Sequence, residues 1–118
     1  MSLSQQQDDR NMEGWLYLIR FNRLGLQYSR KRYFVLENCA LNCYKSVPSD
    51  REDPLRSALL DSCIRVTDNG RVNINKNVLF IFSLYNASNH NDQLKLGARS
   101  SEEAARWIKA LMEAALKE

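Results

Sequence analysis

Ser29 to Glu37 reads Ser-Arg-Lys-Arg-Tyr-Phe-Val-Leu-Glu, three basic residues followed by four apolar ones. A run that contains aromatic and β-branched residues is typical of a β-strand. Because side chains alternate along a strand, its two faces differ in character. One face carries Arg30, Arg32, Phe34 and Leu36, and the other carries Lys31, Tyr33 and Val35. The first face predicts a strand that runs from an anion-attracting rim into a packed interior, unless its charges are merely solvated.

The segment before it, Glu13 to Arg20, is a second predicted strand. A short connection, Phe21 to Tyr28, separates the two strands, so we expect them to pair as an antiparallel hairpin. Arg20 then lies close to Arg30 and Arg32 at one end of the hairpin. Like charges that gather so closely repel each other, and a bound anion would account for the cluster.

The connection itself is unusually apolar, because Phe21, Leu24 and Leu26 surround Arg23 where polar residues are the rule. These side chains either fold back onto the domain or enter the interfacial region of a bilayer while the arginines hold headgroups. The sequence leaves both alternatives open.

The distribution of charge favours a local anionic target. The net charge of the chain is only +3, yet the segment from Gly14 to Leu36 has no acidic residue. Its basic residues are Arg20, Arg23, Arg30, Lys31 and Arg32. A nearly neutral protein with one concentrated basic segment is suited to binding an anion at that segment.

Length and composition indicate one globular domain. The chain has 118 residues, of which 44% are apolar and 26% are charged, values that are ordinary for a single domain with its own core. No run approaches the roughly 18 apolar residues of a transmembrane helix. Residues 1–11 are polar and lack the features of a signal peptide, so we expect a disordered lead at 1–11 and a domain at 12–118.

The cysteines and the histidine favour neither a disulfide scaffold nor a metal centre. The chain has three cysteines, Cys39, Cys43 and Cys63. An odd number without the spacing of a disulfide scaffold indicates a reducing, intracellular compartment. We expect the three to act as small buried apolar residues. His90, the one histidine, is expected to be exposed without a partner. We therefore expect no metal and no cofactor.

Further strands follow the hairpin. The apolar or alternating runs are Ala40–Lys45, Ala58–Asp61, Cys63–Thr67, Val78–Tyr85 and Gln93–Ala98. Ser46 to Ser57 contains both prolines and predicts a solvated loop. Asp68-Asn69-Gly70 predicts a turn, and Arg71 to Asn77 predicts a loop or irregular hairpin. The most apolar strand has a predicted core face of Val78, Phe80, Phe82 and Leu84.

The chain then changes to helical periodicity. Ser100 and Glu103 form a predicted capping box, and a helix is expected from Ser101 to about Leu116. Its apolar stripe comprises Ala104, Trp107, Ile108, Leu111 and Ala115. Six or seven antiparallel strands and one closing helix predict a mainly β fold, a partial barrel capped by the C-terminal amphipathic helix.

Three motifs in order resemble the pleckstrin homology (PH) domain family. They are Glu13-Gly14-Trp15-Leu16, the run from Arg30 to Leu36, and Ser101-Glu102-Glu103 followed by Trp107. The resemblance implies a seven-stranded partial barrel capped by one helix. The stretches Asp61–Gly70 and Tyr85–Gly97 are similar to plant proteins that place a PH domain ahead of a START-type lipid-binding domain.

The resemblance also implies a site. Lipid-binding members of the family hold a phosphoinositide with a basic residue on the first strand and a basic-x-Arg pair on the second, and Arg30 and Arg32 match that pair. Leu18 stands where a lysine is usual, with Arg20 as its substitute, which favours a monophosphorylated headgroup such as phosphatidylinositol 4-phosphate. The implied phosphoinositide-binding residues are Arg20, Arg23, Arg30, Lys31 and Arg32, and the implied membrane-contact residues are Phe21, Leu24 and Leu26.

The resemblance implies a monomeric, cytoplasmic module that is peripheral on the endosomal, plasma or endoplasmic reticulum membrane. Its implied partners are anionic membrane lipids, with a START-type domain elsewhere in the full-length protein. The alternative is a protein-interaction module on the same fold that binds lipid weakly. An enzyme is disfavoured because no phosphate loop, activated nucleophile or metal-ligand spacing occurs. Nucleic acid is disfavoured because the basic residues form no extended track with stacking aromatics.

Overall fold

The computed structural model describes residues 11–116, which form seven β-strands and one α-helix. The elements are β1 (Met12–Phe21), β2 (Gln27–Glu37), β3 (Ala40–Tyr44), β4 (Arg56–Leu59), β5 (Ile64–Ile74), β6 (Asn77–Asn86), β7 (Asn89–Ala98) and α1 (Ser101–Leu116). The disordered lead expected at 1–11 lies outside the described residues except for Asn11, so it stays a prediction.

The strands form one antiparallel sheet in the order β4-β3-β2-β1-β7-β6-β5. The sheet curves into a half-barrel that α1 closes, and the predicted fold class is confirmed. The helix has 16 residues, and within 11–116 no helix is long and apolar enough to cross a bilayer.

The predicted change of character along β2 is confirmed. Arg30 is exposed at one end of the strand, whereas Phe34 and Leu36 are each only 1% exposed in the main core. They share this core with Trp107 of α1, which is fully buried. Burying side chains of this size stabilises the fold by about 1.5–3 kcal/mol each.

The helix begins as expected. The Ser100 Oγ accepts a hydrogen bond from the Glu103 backbone N–H at 3.1 Å. The Glu103 carboxylate in turn accepts from the Arg99 backbone N–H at 3.4 Å, one residue before the partner that a standard capping box uses. The predicted stripe is confirmed, although Ile108 is only partly buried.

The turn predicted at Asp68-Asn69-Gly70 is wrong. β5 continues through these residues, and its register with β6 shifts between Asp68 and Gly70, which marks a β-bulge. Gly70 has a φ of 81°, and its N–H donates to the Asp68 carboxylate at 2.9 Å. A bulge and a tight turn need the same residue types, so composition alone does not separate them.

Of the two alternatives for Arg71 to Asn77, the loop is wrong and the hairpin is confirmed, because Arg71 to Ile74 belong to β5 and the hairpin turn lies at Asn75 and Lys76. These two residues have φ values of 51° and 69°, the positive values that a two-residue hairpin turn requires. Asparagine tolerates this backbone conformation, which is why an asparagine-rich segment could be read as a loop.

The core face predicted for β6 is correct except at Val78, which is 41% exposed. Both faces of this strand are covered, because Leu79 and Ile81 are buried in a second cluster with Tyr17 and Ile19 of β1. Val78, the second residue of β6, shares the face of Phe80 and Phe82 but lies outside the core. The predicted strand Ala58–Asp61 also lies two residues too late, since β4 spans Arg56–Leu59.

Candidate functional site

The site is built on the β1–β2 hairpin. Its register runs from Met12↔Leu36 at one end to Phe21↔Gln27 at the loop, with Leu18 opposite Arg30 and Arg20 opposite Tyr28. Leu18 and Arg20 are two residues apart on β1, so they share a face, and Arg30 lies directly opposite Leu18. Arg20 and Arg30 therefore lie on the same side of the sheet. The pairing therefore brings together side chains that are ten residues apart in the chain.

A structured connection holds that register. The Asn22 side-chain oxygen accepts hydrogen bonds from the backbone N–H groups of Leu24 and Leu26 at 2.9 and 3.0 Å. Gly25 adopts a φ of 79°, a left-handed value that favours glycine. The loop next to the arginines therefore has its own internal hydrogen bonds.

Arg20, Arg30 and Arg32 line one surface depression of about 360 Å³. Leu18 and Tyr28 from the hairpin line it too, together with Cys43, Leu55 and Arg56 from the neighbouring strands. The guanidinium groups that the sequence placed at one end of the hairpin thus surround a common space.

Arg56 is the site residue that the sequence reasoning missed. β3 pairs with β2 at Phe34↔Cys43, and β4 pairs with β3 at Cys43↔Arg56, so the two pairings carry Arg56 to the depression. Its own segment offered no signal, because it follows a polar, proline-containing loop. We refer to Arg20, Arg30, Arg32 and Arg56 together as the arginine rim.

Cys43 lies on β3, between β2 and β4, and the positive charges of the arginine rim affect the pKa of its thiol. Its side chain is only 2% exposed, and burial raises the pKa of its thiol. The guanidinium groups of Arg32, Arg56 and Arg20 act on that pKa in the opposite direction. Three positive charges from three strands therefore act on one buried sulfur atom, a local field that favours anions.

The guanidinium groups of the rim have few protein partners. Arg32 donates to the Lys31 carbonyl oxygen at 2.9 Å, and the Arg30 guanidinium lies 5.6 Å from the centre of the Tyr28 ring. Among residues 11–116, none of the four arginines pairs with a carboxylate. Their hydrogen-bond donors remain available to a planar or tetrahedral oxyanion.

The structure does not bring Lys31 to the rim. Its ammonium group lies over Trp15, 5.0 Å from the ring centre, on the opposite face of the hairpin. On that face the Tyr33 hydroxyl donates to the Glu13 carboxylate at 2.7 Å, and this hydrogen bond raises the pKa of Tyr33. Arg23 lies in the exposed loop and does not line the depression.

The apolar side chains of the loop are exposed. The exposed fractions of Phe21, Leu24 and Leu26 are 60%, 82% and 60%. The alternative in which they fold back onto the domain is therefore wrong for this structure. These three exposed apolar side chains lie at the loop end of the hairpin, where they form a patch of the kind that interacts with other molecules.

A larger depression of about 720 Å³ lies at the far end of the hairpin, around Met12 and Leu36. It combines the carboxylates of Glu13 and Glu37 with the basic side chains of Arg106 and Lys109. Its charges are balanced, so it has no preference for anions. Within 11–116 no cluster of three or more metal-ligating side chains occurs.

The sequence profile of the PH domain family matches residues 10–116. The chain belongs to the PH domain family. The predicted family is thereby confirmed, and PH domains are non-catalytic modules that bind lipids or proteins.

A plant protein and two solved structures are similar to this PH domain. Over 95 residues the chain is 30% identical to "Protein ENHANCED DISEASE RESISTANCE 2-like" of Arabidopsis thaliana, covering 80% of this chain but only 13% of that protein. The human oxysterol-binding protein-related protein 11 PH domain has a TM-score of 0.72 at 20% identity, covering 99% of this chain and 88% of that one. The C-terminal PH domain of pleckstrin in complex with D-myo-Ins(1,2,3,5,6)P5 has a TM-score of 0.66 at 25% identity, covering 88% and 93%.

Proposed function

We propose that this PH domain binds the phosphorylated headgroup of a phosphoinositide at the arginine rim and so recruits its protein to an anionic membrane. The observation that carries the proposal is the convergence of four arginines around one depression, with no carboxylate partner among the residues described. A cluster of like charges costs free energy in the unliganded protein, and an oxyanion relieves that repulsion.

Each arginine has a defined part. Arg30 and Arg32 occupy the positions of the basic pair that the family uses on its second strand, where two guanidinium groups bind phosphate through paired hydrogen bonds. Arg20 approaches from β1, and Arg56 approaches from β4. The pleckstrin domain that resembles this chain was solved with an inositol pentakisphosphate, which supports an inositol phosphate as the ligand class.

We propose a monophosphorylated headgroup such as phosphatidylinositol 4-phosphate. Leu18 occupies the β1 position where lipid-binding relatives carry a lysine, and its aliphatic side chain, only 6% exposed, has no hydrogen-bond donor to offer a phosphate. Arg20, two residues further along the same face, replaces it at the rim. A site without this lysine fits fewer phosphates.

The loop supplies the second part of membrane binding. Phe21, Leu24 and Leu26 enter the interfacial region while Arg23 lies among the headgroups. Basic residues near an anionic leaflet contribute about 1 kcal/mol each, so the attachment is transient. A START-type domain elsewhere in the full-length protein would add a second contact. A monomeric, cytoplasmic domain on endosomal, plasma or endoplasmic reticulum membranes fits this role.

Vesicle flotation tests the proposal. The vesicles contain phosphatidylcholine with either phosphatidylinositol 4-phosphate or phosphatidylinositol, matched in total charge with phosphatidylserine. We expect flotation with the phosphorylated lipid, weakening as salt is added. The double variant Arg30→Ala/Arg32→Ala should lose flotation while its thermal unfolding stays close to that of the wild type, because both side chains lie outside the main core.

The matched control is Arg71→Ala/Arg106→Ala, which removes two exposed positive charges outside the rim. It should float like the wild type. If no anionic vesicle carries the wild-type domain upward, the lipid proposal is wrong, and the protein-interaction module becomes the better description. If the Arg30/Arg32 variant floats normally, the binding site lies elsewhere.

A further inference from the structure

Leu55 combines two properties that the binding of a headgroup alone does not require. Its side chain is 62% exposed, and it lines the same depression as the arginine rim. Isolated exposed leucines are common on protein surfaces and need no explanation. A leucine among four guanidinium groups is different, because the same surface that attracts phosphate presents hydrocarbon beside it.

The position of Leu55 is constrained by its backbone. The Leu55 N–H donates to the Cys43 carbonyl oxygen at 2.7 Å, an attachment to β3 just before β4 begins. The preceding residue, Pro54, has a restricted φ angle. The following residue, Arg56, is paired with Cys43. The leucine is therefore held at the edge of the site and does not extend from a free loop.

Leu55 and the apolar loop lie on different sides of the arginines. In the sheet order β4-β3-β2-β1, Leu55 immediately precedes β4, whereas Phe21 is the last residue of β1 and Leu24 and Leu26 lie in the loop after it. Arg30 and Arg32 lie on β2, between these two apolar groups. Exposed hydrocarbon therefore flanks the basic centre of the site on both sides.

We infer that Leu55 is a second membrane-contact residue, which enters the boundary between headgroups and acyl chains when the arginine rim holds a lipid phosphate. The inference rests on the proposed function. The partner is an anionic bilayer surface, because positive charge flanked by hydrocarbon complements a layer of phosphates above acyl chains. Contact on two sides of the rim would orient the domain and favour a membrane-embedded headgroup over a free inositol phosphate.

The test compares Leu55→Ser with Leu59→Ser. Leu59 is a matched control because it is 72% exposed, belongs to β4 and does not line the depression of the arginine rim. Binding is measured to phosphatidylcholine vesicles that contain phosphatidylinositol 4-phosphate, by flotation. Binding to free D-myo-inositol 1,4-bisphosphate is measured by calorimetry.

We expect Leu55→Ser to weaken vesicle binding about threefold to tenfold, the range for partial burial of one leucine side chain. Its affinity for the free headgroup should be unchanged. Leu59→Ser should match the wild type in both assays. An unchanged vesicle affinity of Leu55→Ser would overturn the inference and leave the proposed function intact, provided that Arg30→Ala/Arg32→Ala still abolishes flotation.

An equal loss of vesicle and free-headgroup affinity would also overturn it, because Leu55 would then be only a wall of the headgroup site. Leu55→Trp provides an independent measurement if the serine variant folds poorly. The added indole should be quenched by vesicles with brominated acyl chains, beyond the quenching seen in the wild type. Absence of that extra quenching on vesicles that bind the domain would contradict insertion.

Discussion

The two faces of the β1–β2 hairpin differ in how their polar side chains are partnered. On the face that carries the arginine rim, the guanidinium groups surround an open depression, and within 11–116 they have no carboxylate partner. On the other face Lys31 lies over Trp15, and the Tyr33 hydroxyl donates to Glu13. Farther along that face, Arg99 donates to the Tyr17 hydroxyl at 2.9 Å.

This difference shows that the number of positive charges in a segment does not define a binding site. Arg30, Lys31 and Arg32 are consecutive, yet the strand sends the middle residue to the opposite face. A cation that lies over an aromatic ring already has an interaction worth about 0.5–1 kcal/mol. Arg30 has a comparable contact with Tyr28, so the face on which a cation lies, and not its aromatic contact, decides whether it belongs to the rim.

The strongest test of the comparison is Arg56→Ala, because this arginine joins the site only through strand pairing. We expect headgroup affinity to fall about tenfold or more, since a charge-assisted hydrogen bond contributes roughly 1.5–3 kcal/mol. Calorimetry with D-myo-inositol 1,4-bisphosphate and vesicle flotation should agree. Arg65→Ala, an exposed arginine on β5, is the control. If Arg56→Ala and the wild type bind the headgroup with equal affinity, β4 does not contribute to the site.

A smaller effect is expected from Leu24→Ser, which alters the most exposed leucine of the loop that joins β1 and β2. Vesicle binding should weaken about threefold to fivefold, because one apolar side chain no longer leaves water for the interfacial region. Binding of the free headgroup should not change. Flotation and calorimetry on the same preparation separate the two quantities. If headgroup affinity falls as well, the loop shapes the site and does not insert.

The smallest effect should come from Lys31→Ala. Because Lys31 points away from the rim, we expect vesicle affinity to change less than about twofold through loss of one non-specific charge. Unfolding by urea should detect a loss of at most about 1 kcal/mol from the Trp15 contact. A loss of binding as large as that of Arg56→Ala would mean that both faces bind the membrane, and the comparison would fail.

Local patterns predicted much of the fold. The alternation from Arg30 to Leu36 identified the core face of β2 because neighbouring side chains in a strand point in opposite directions. Ser100 and Glu103 located the start of α1 because a helix N-terminus needs acceptors for its free N–H groups. Asp68 to Gly70 was misread because a bulge and a turn share their residue preferences.

The sequence alone predicted the hairpin, its three converging arginines and the terminal helix, because each depends on residues close together in the chain, whereas the structure decided that the apolar side chains of the loop are exposed. Tertiary structure decided that Arg56 and Leu55 join the site and that Lys31 lies over Trp15. Pairings such as Cys43↔Arg56 span a polar loop whose composition does not specify which residue meets which. The register of distant strands is selected by the packing of the whole sheet, and a one-residue shift would send every side chain of β4 to the other face.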